Sequence, residues 1–145
     1  MSCNSEVIAS LVAQAMHVMA GAPETRGDFH GLLTPVPNQS FVEGGSSTGP
    51  LHYTINAHGF RGPGFAVDKA PGTLRIALIG GSFVFGAGVE QEQTLSSALG
   101  AAVAARWPTR RIEVLNLGLS GDTLPSHRRV VELAQTALDA DVSVL

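Results

Sequence analysis

The chain has 145 residues with 44% hydrophobic and 14% charged side chains, enough apolar material for one domain-sized core under a sparingly charged surface. A formal net charge of −3 with no run of Lys or Arg excludes the electrostatic footprint of a nucleic-acid binder and gives no polybasic membrane signal. The single cysteine, Cys3, excludes a disulfide framework, and no His/Cys/Asp/Glu cluster has metal-ligand spacing, so neither a metal nor any other cofactor is expected.

In chain order, Val7 to Ala22 is apolar but lacks a basic leader, follows Glu6 and is interrupted by His17. It reads as an amphipathic helix rather than a secretion signal, and is too short for a membrane span. Gly21 to Pro50 is rich in Gly, Pro, Ser and Asn, and is expected to run as irregular surface chain. Residues 1–50 therefore form an N-terminal extension, and 51–145 the α/β unit. Leu51 to Asn56 alternates as a short edge strand, and Asn56-Ala57-His58-Gly59-Phe60-Arg61-Gly62 follows it.

Ile76 to Ile79 is the continuous apolar run of a parallel strand covered on both faces, and Gly80-Gly81 then turns the chain with Ser82 at the tip. A hydroxyl there faces the crevice beyond the strand's carboxyl end, where open α/β sheets bind ligands. Thr94 is the expected N-cap of a helix presenting Leu95, Ala98, Leu99, Ala102 and Val103, stopped at Trp107-Pro108. A strand over Ile112 to Asn116 leads to a loop containing Gly121. A helix from Pro125 presents Val130, Val131, Ala134, Ala137 and Leu138, and Val142 to Leu145 begins a third strand. Right-handed crossovers place Arg75–Ile79 centrally with the other two strands on either side, a three-layer αβα arrangement.

Three common glycine motifs fail at this turn. A phosphate loop would need lysine and a hydroxyl where Ala87 and Gly88 stand, and a dinucleotide fingerprint cannot be set with its first glycine directly after the strand. The Gly-x-Ser-x-Gly elbow fits Gly80 and Ser82 but meets Val84 at its last position.

Gly80-Gly81-Ser82-Phe83-Val84-Phe85-Gly86 resembles the first motif of the SGNH (GDSL-type) hydrolases, with Gly81 in place of the commoner aspartate. Asn116-Leu117-Gly118-Leu119-Ser120-Gly121 resembles the second, and Asn56 to Gly62 is similar to an element found upstream of the nucleophile in a subgroup of that family. The resemblance implies a flavodoxin-like sheet and a serine hydrolase that cleaves a small-molecule ester or thioester through an acyl-serine. Ser82 is then the nucleophile, and the N–H groups of Ser82 and Gly121 are oxyanion donors. The family's later blocks, Gly-x-Asn-Asp and Asp-x-x-His, do not occur in the sequence, so the chain is expected to be the N-terminal part of such a domain, truncated after its third strand.

Plainer readings stand beside these. Serine and glycine are common turn residues, and Asp122 and Thr123 suit capping of the next helix. His30, His52 and His58 fall in loop or edge regions and His127 in a first helical turn, so none is assigned as the base. The alternative for the whole chain is a non-catalytic remnant or binding module on the same scaffold.

Overall fold

The structure, a computed structural model, describes residues 27–46, 49–121 and 124–145. The expected N-terminal helix, Cys3 and the capping pair Asp122 and Thr123 lie outside the described residues. Among them, no helix is long and apolar enough to cross a membrane.

Three parallel strands carry the fold. β5 (Leu74–Gly80) lies between β6 (Ile112–Gly118) and β7 (Val142–Val144), the arrangement that right-handed crossovers require. β5 is buried at every position from Arg75 to Ile79, the reason its sequence shows no alternation. Its register with β6 runs from Leu74 opposite Ile112 to Gly80 opposite Gly118, so the two chains leave the sheet side by side.

Helices flank the sheet. After β5 comes α1, a single turn over Ser82–Phe85, followed by a 3₁₀ turn at Gln91–Gln93 and α2 (Leu95–Arg106) against β6; α3 (Leu124–Thr136) packs on β5. Ala77, Ile79, Leu115 and Leu117 meet Val130, Leu133, Ala134 and Leu138 in the main core. α3 thus buries Val130 and Ala134 as expected, and Leu133 with them, with Val131 half-buried; of the other expected positions, the half-buried Ala137 and the buried Leu138 lie just past its end.

α2 starts where expected, with the Thr94 hydroxyl accepting from Ser97 N at 3.3 Å, and it ends at Trp107. Its expected apolar face is corrected. Leu95, Ala98 and Ala102 are exposed, whereas Ser96 is the buried helical residue and Leu99 and Val103 are half-buried. An alanine-rich helix has little apolar asymmetry to orient it. Instead, the buried Thr94 hydroxyl gathers Gln91 O at 2.8 Å and Ser96 Oγ at 3.1 Å, and that polar knot sets its rotation.

The expectation of irregular chain before Pro50 is also corrected. β1 (Gly27–Phe29) pairs antiparallel with β2 (Leu32–Thr34), and β3 (Ser40–Ser46) pairs antiparallel with β4 (Gly49–Thr54). Phe29 and Leu32 belong to the main core, so the first hairpin is part of the packed unit. The second packs Leu51, Tyr53 and Ile55 against Phe85 of α1. The expected edge strand is present two residues early, and Ile55 continues it only as a bridge to Arg61.

Arg75 is fully buried at the start of β5. Its guanidinium donates to Glu113 Oε2 at 2.9 Å, Val67 O at 2.8 Å, Leu138 O at 2.7 Å and Ala66 O at 2.9 Å. A buried cation is tolerable only when its donors are satisfied, and here the carboxylate also supplies the opposite charge. Beside it, the Asp141 carboxylate accepts from Arg75 N at 2.7 Å and Lys69 Nζ at 2.9 Å. These bonds hold the Asp141 pKa below its ordinary value.

Candidate functional site

The strands end in paired turns. Beyond Gly80 the chain enters α1 with Ser82 as its first residue, and beyond Gly118 it continues through the buried Leu119, whose N–H donates to Gly80 O at 2.9 Å, toward Gly121. Ser82 and Gly121 therefore stand at the carboxyl ends of adjacent parallel strands, two and three residues past the last paired positions. Ser82 is exposed rather than covered by its own helix. Gly121 takes φ +76°, a left-handed conformation that glycine enters without Cβ strain.

Among the described residues neither the Ser82 N–H nor the Gly121 N–H donates a hydrogen bond, and the Ser82 hydroxyl has no partner. The first N–H groups of any helical turn lack intrahelical acceptors, so Ser82 N is left for an outside oxygen by its position alone. Phe83, next in line, is 94% exposed and gives the mouth of the turn an apolar side.

Two devices seat this short helix. One is Gly118, against which α1 lies so closely that a Cβ would stand 2.6 Å from Val84 C and 2.7 Å from Phe85 Cα, with Phe85 N closer still. Asn116 shapes the same exit, its buried side-chain oxygen accepting from Gly118 N at 3.0 Å. β6 itself runs two residues past the expected end at Asn116.

The other device is the hairpin β3–β4 with the loop after it; the sequence singled out the loop, Asn56 to Gly62, but neither the hairpin nor a role for Arg61. Arg61 is 1% exposed, with its guanidinium 4.1 Å from the Tyr53 ring centroid and 5.7 Å from that of Phe85. It donates to Gly86 O, Phe85 O at 3.4 Å, Val89 O at 2.7 Å and His52 O at 3.4 Å. No carboxylate pairs with it at ion-pair distance among the described residues, and burial lowers its pKa from the ordinary value. Tyr53 completes the grip, its hydroxyl donating to Glu43 Oε2 at 2.5 Å and accepting from Gly88 N at 2.9 Å. Burial, reinforced by the Glu43 hydrogen bond, raises the Tyr53 pKa and keeps the phenol neutral.

The histidines are placed by structure. His58 bonds Phe65 O at 2.8 Å through Nε2 and packs against the Phe29 and Phe65 rings. His30 occupies the β1–β2 turn at φ +51°, and the exposed His52 ring meets Glu90 Oε1 at 3.2 Å. That contact is the largest influence lowering the Glu90 pKa. His127 is in the first turn of α3. None of the four hydrogen-bonds Ser82. A cavity of about 260 Å³ between Arg61, Phe65, Ser96, Gly100 and Asn116 borders β6 and does not include Ser82 or Gly121.

The arrangement presents a serine hydroxyl and two backbone donors at the end of a parallel sheet, with a rigid support on either side. A scan against protein-family models matches no family, and a search of the curated proteins returns no match.

Proposed function

We propose that the chain carries the nucleophile half of a serine hydrolase site of SGNH type on a flavodoxin-like sheet, acting on a small-molecule ester or thioester. The observation that carries this reading is the exposed Ser82 at the head of a one-turn helix directly beyond the central strand, beside the left-handed Gly121 at the end of the adjacent strand.

In the proposed reaction, Ser82 Oγ attacks the carbonyl carbon and loses its proton to a base, while negative charge grows on the carbonyl oxygen. The N–H groups of Ser82 and Gly121 receive that charge, each such donor contributing on the order of 3 kcal/mol when preorganised. Collapse expels the alcohol or thiol, which takes up a proton, and water then releases the acid from the acyl-serine. A serine hydroxyl is a weak nucleophile until a base takes its proton, and no described histidine is bonded to Ser82. Turnover by the chain alone is therefore expected to be slight, and supplied imidazole should raise it.

The test is fluorophosphonate labelling with peptide mapping, run beside p-nitrophenyl acetate hydrolysis with and without imidazole, on the chain and its Ser82→Ala form. In the label reaction the Ser82 oxygen bonds phosphorus and fluoride departs. Fold-dependent label on Ser82, abolished by Ser82→Ala and by prior unfolding, supports the reading. Label spread evenly over the other serines, or hydrolysis equal in both forms, refutes it in favour of a non-catalytic scaffold.

A further inference from the structure

We propose that Arg61 is a positioning residue for Ser82, fixing the nucleophile turn through its carbonyl groups without touching the reacting atoms; this rests on the hydrolase reading above.

A helix of four residues cannot hold itself in place, because so few internal bonds do not offset the entropy of ordering it. Within α1 and its exit the backbone supplies Phe85 N to Gly81 O, and both Gly86 N and Ala87 N to Ser82 O. The outward carbonyls at its carboxyl end need other donors. Arg61 meets this need, since three of the four carbonyls it bonds, those of Phe85, Gly86 and Val89, lie within seven residues of Ser82. Its positive charge also sits at the negative end of the turn. Gly86 closes the turn at φ +85°, and a Cβ there would lie 2.9 Å from Arg61 Nη1, so guanidinium and chain are fitted to each other.

The energetic case favours placement over plain stability. Burying a guanidinium costs several kcal/mol even after relaxation, and no ion pair among the described residues offsets it. The neighbouring Tyr53, Phe85 and Ile55 would pack readily around an apolar side chain. What an apolar side chain lacks is a planar fork that reaches several carbonyls at once. Lysine would bring the charge without the fork.

The experiment compares the full chain with Arg61→Lys and Arg61→Met. It measures the limiting rate kinact and half-saturation KI of fluorophosphonate at Ser82, amide hydrogen exchange along the chain, and the urea midpoint. A positioning role predicts kinact lower by roughly 10- to 100-fold, the scale of an ångström of misplacement, with KI within about twofold. Exchange should quicken at Phe85, Gly86 and Ala87 while β5 and β6 stay protected, and Lys should restore the midpoint more than kinact. Unchanged kinact in Arg61→Met, or exchange that rises uniformly in both variants, overturns the proposal. If the unmodified chain does not label even with imidazole supplied, the hydrolase reading fails, and exchange confined to the turn still decides whether Arg61 holds it. Should Arg61→Met not fold, Arg61→Lys carries both measurements.

Discussion

Replacing Gly118 by alanine should push the Ser82 turn away from the sheet. The new Cβ would have to open its distance to Val84 C from 2.6 Å to the 3.4 Å of ordinary contact, a retreat of about 0.8 Å, and more at Phe85 N. These are backbone atoms, so no rotamer change relieves the clash. Neither side yields freely, because β6 is paired to β5 through Gly80 opposite Gly118 and α1 is gripped from behind by Arg61. Overfilling a packed site costs roughly 1–3 kcal/mol, and rigid backbone on both sides places this one near the upper end. With a urea slope of about 2 kcal/mol per molar, the midpoint should fall by roughly 1–1.5 M. Gly100→Ala is the matched control: its Cβ meets nothing nearer than Val114 Cγ2 at 3.9 Å, so the same chemical change inside α2 should stabilise by about 0.5–1 kcal/mol. A Gly118→Ala midpoint equal to that of the unmodified chain, or a shift matching Gly100→Ala, would refute the packing argument.

Two further outcomes follow from the caps and charges. Thr94→Ala removes the acceptor for Ser97 N and leaves buried polar neighbours short of a partner, and should cost about 1–2 kcal/mol by urea denaturation. Asp141→Asn tests a pH window: the folded carboxyl is held below its ordinary 3.8, so its stabilisation is complete above 3.8 and fades as pH falls through the lower folded value. Urea midpoints of Asp141→Asn and the unmodified chain should therefore converge in acid; a constant gap at all pH would contradict this.

The parallel core was legible because its signals are local. An unbroken apolar run marked β5, Thr94 and Trp107-Pro108 bracketed α2 within a residue, and a glycine turn after a buried strand singled out Ser82. The hairpins were not legible, since β3 reads Ser-Phe-Val-Glu-Gly-Gly-Ser and its strand character comes from pairing with β4 rather than from its own composition. The run Asn56 to Gly62 was singled out in the sequence, but no role for Arg61 was legible in it, because its burial follows from carbonyl groups 24 to 28 residues further on. The rotation of α2 was misread because a hydroxyl cluster, not apolar periodicity, decides which side it buries.

The fully enclosed Arg75 also bears on how the chain folds. Its acceptors lie 8, 9, 38 and 63 residues away, on the segment before β5, on β6 and just after α3. A nascent sheet of β5 and β6 alone would bury the guanidinium with only Glu113 in place, and the remaining donors would lose water without gaining partners. Partly assembled states are thereby penalised until the chain through Leu138 has docked. One side chain thus couples segments distant in sequence and drives the sheet toward all-or-none assembly.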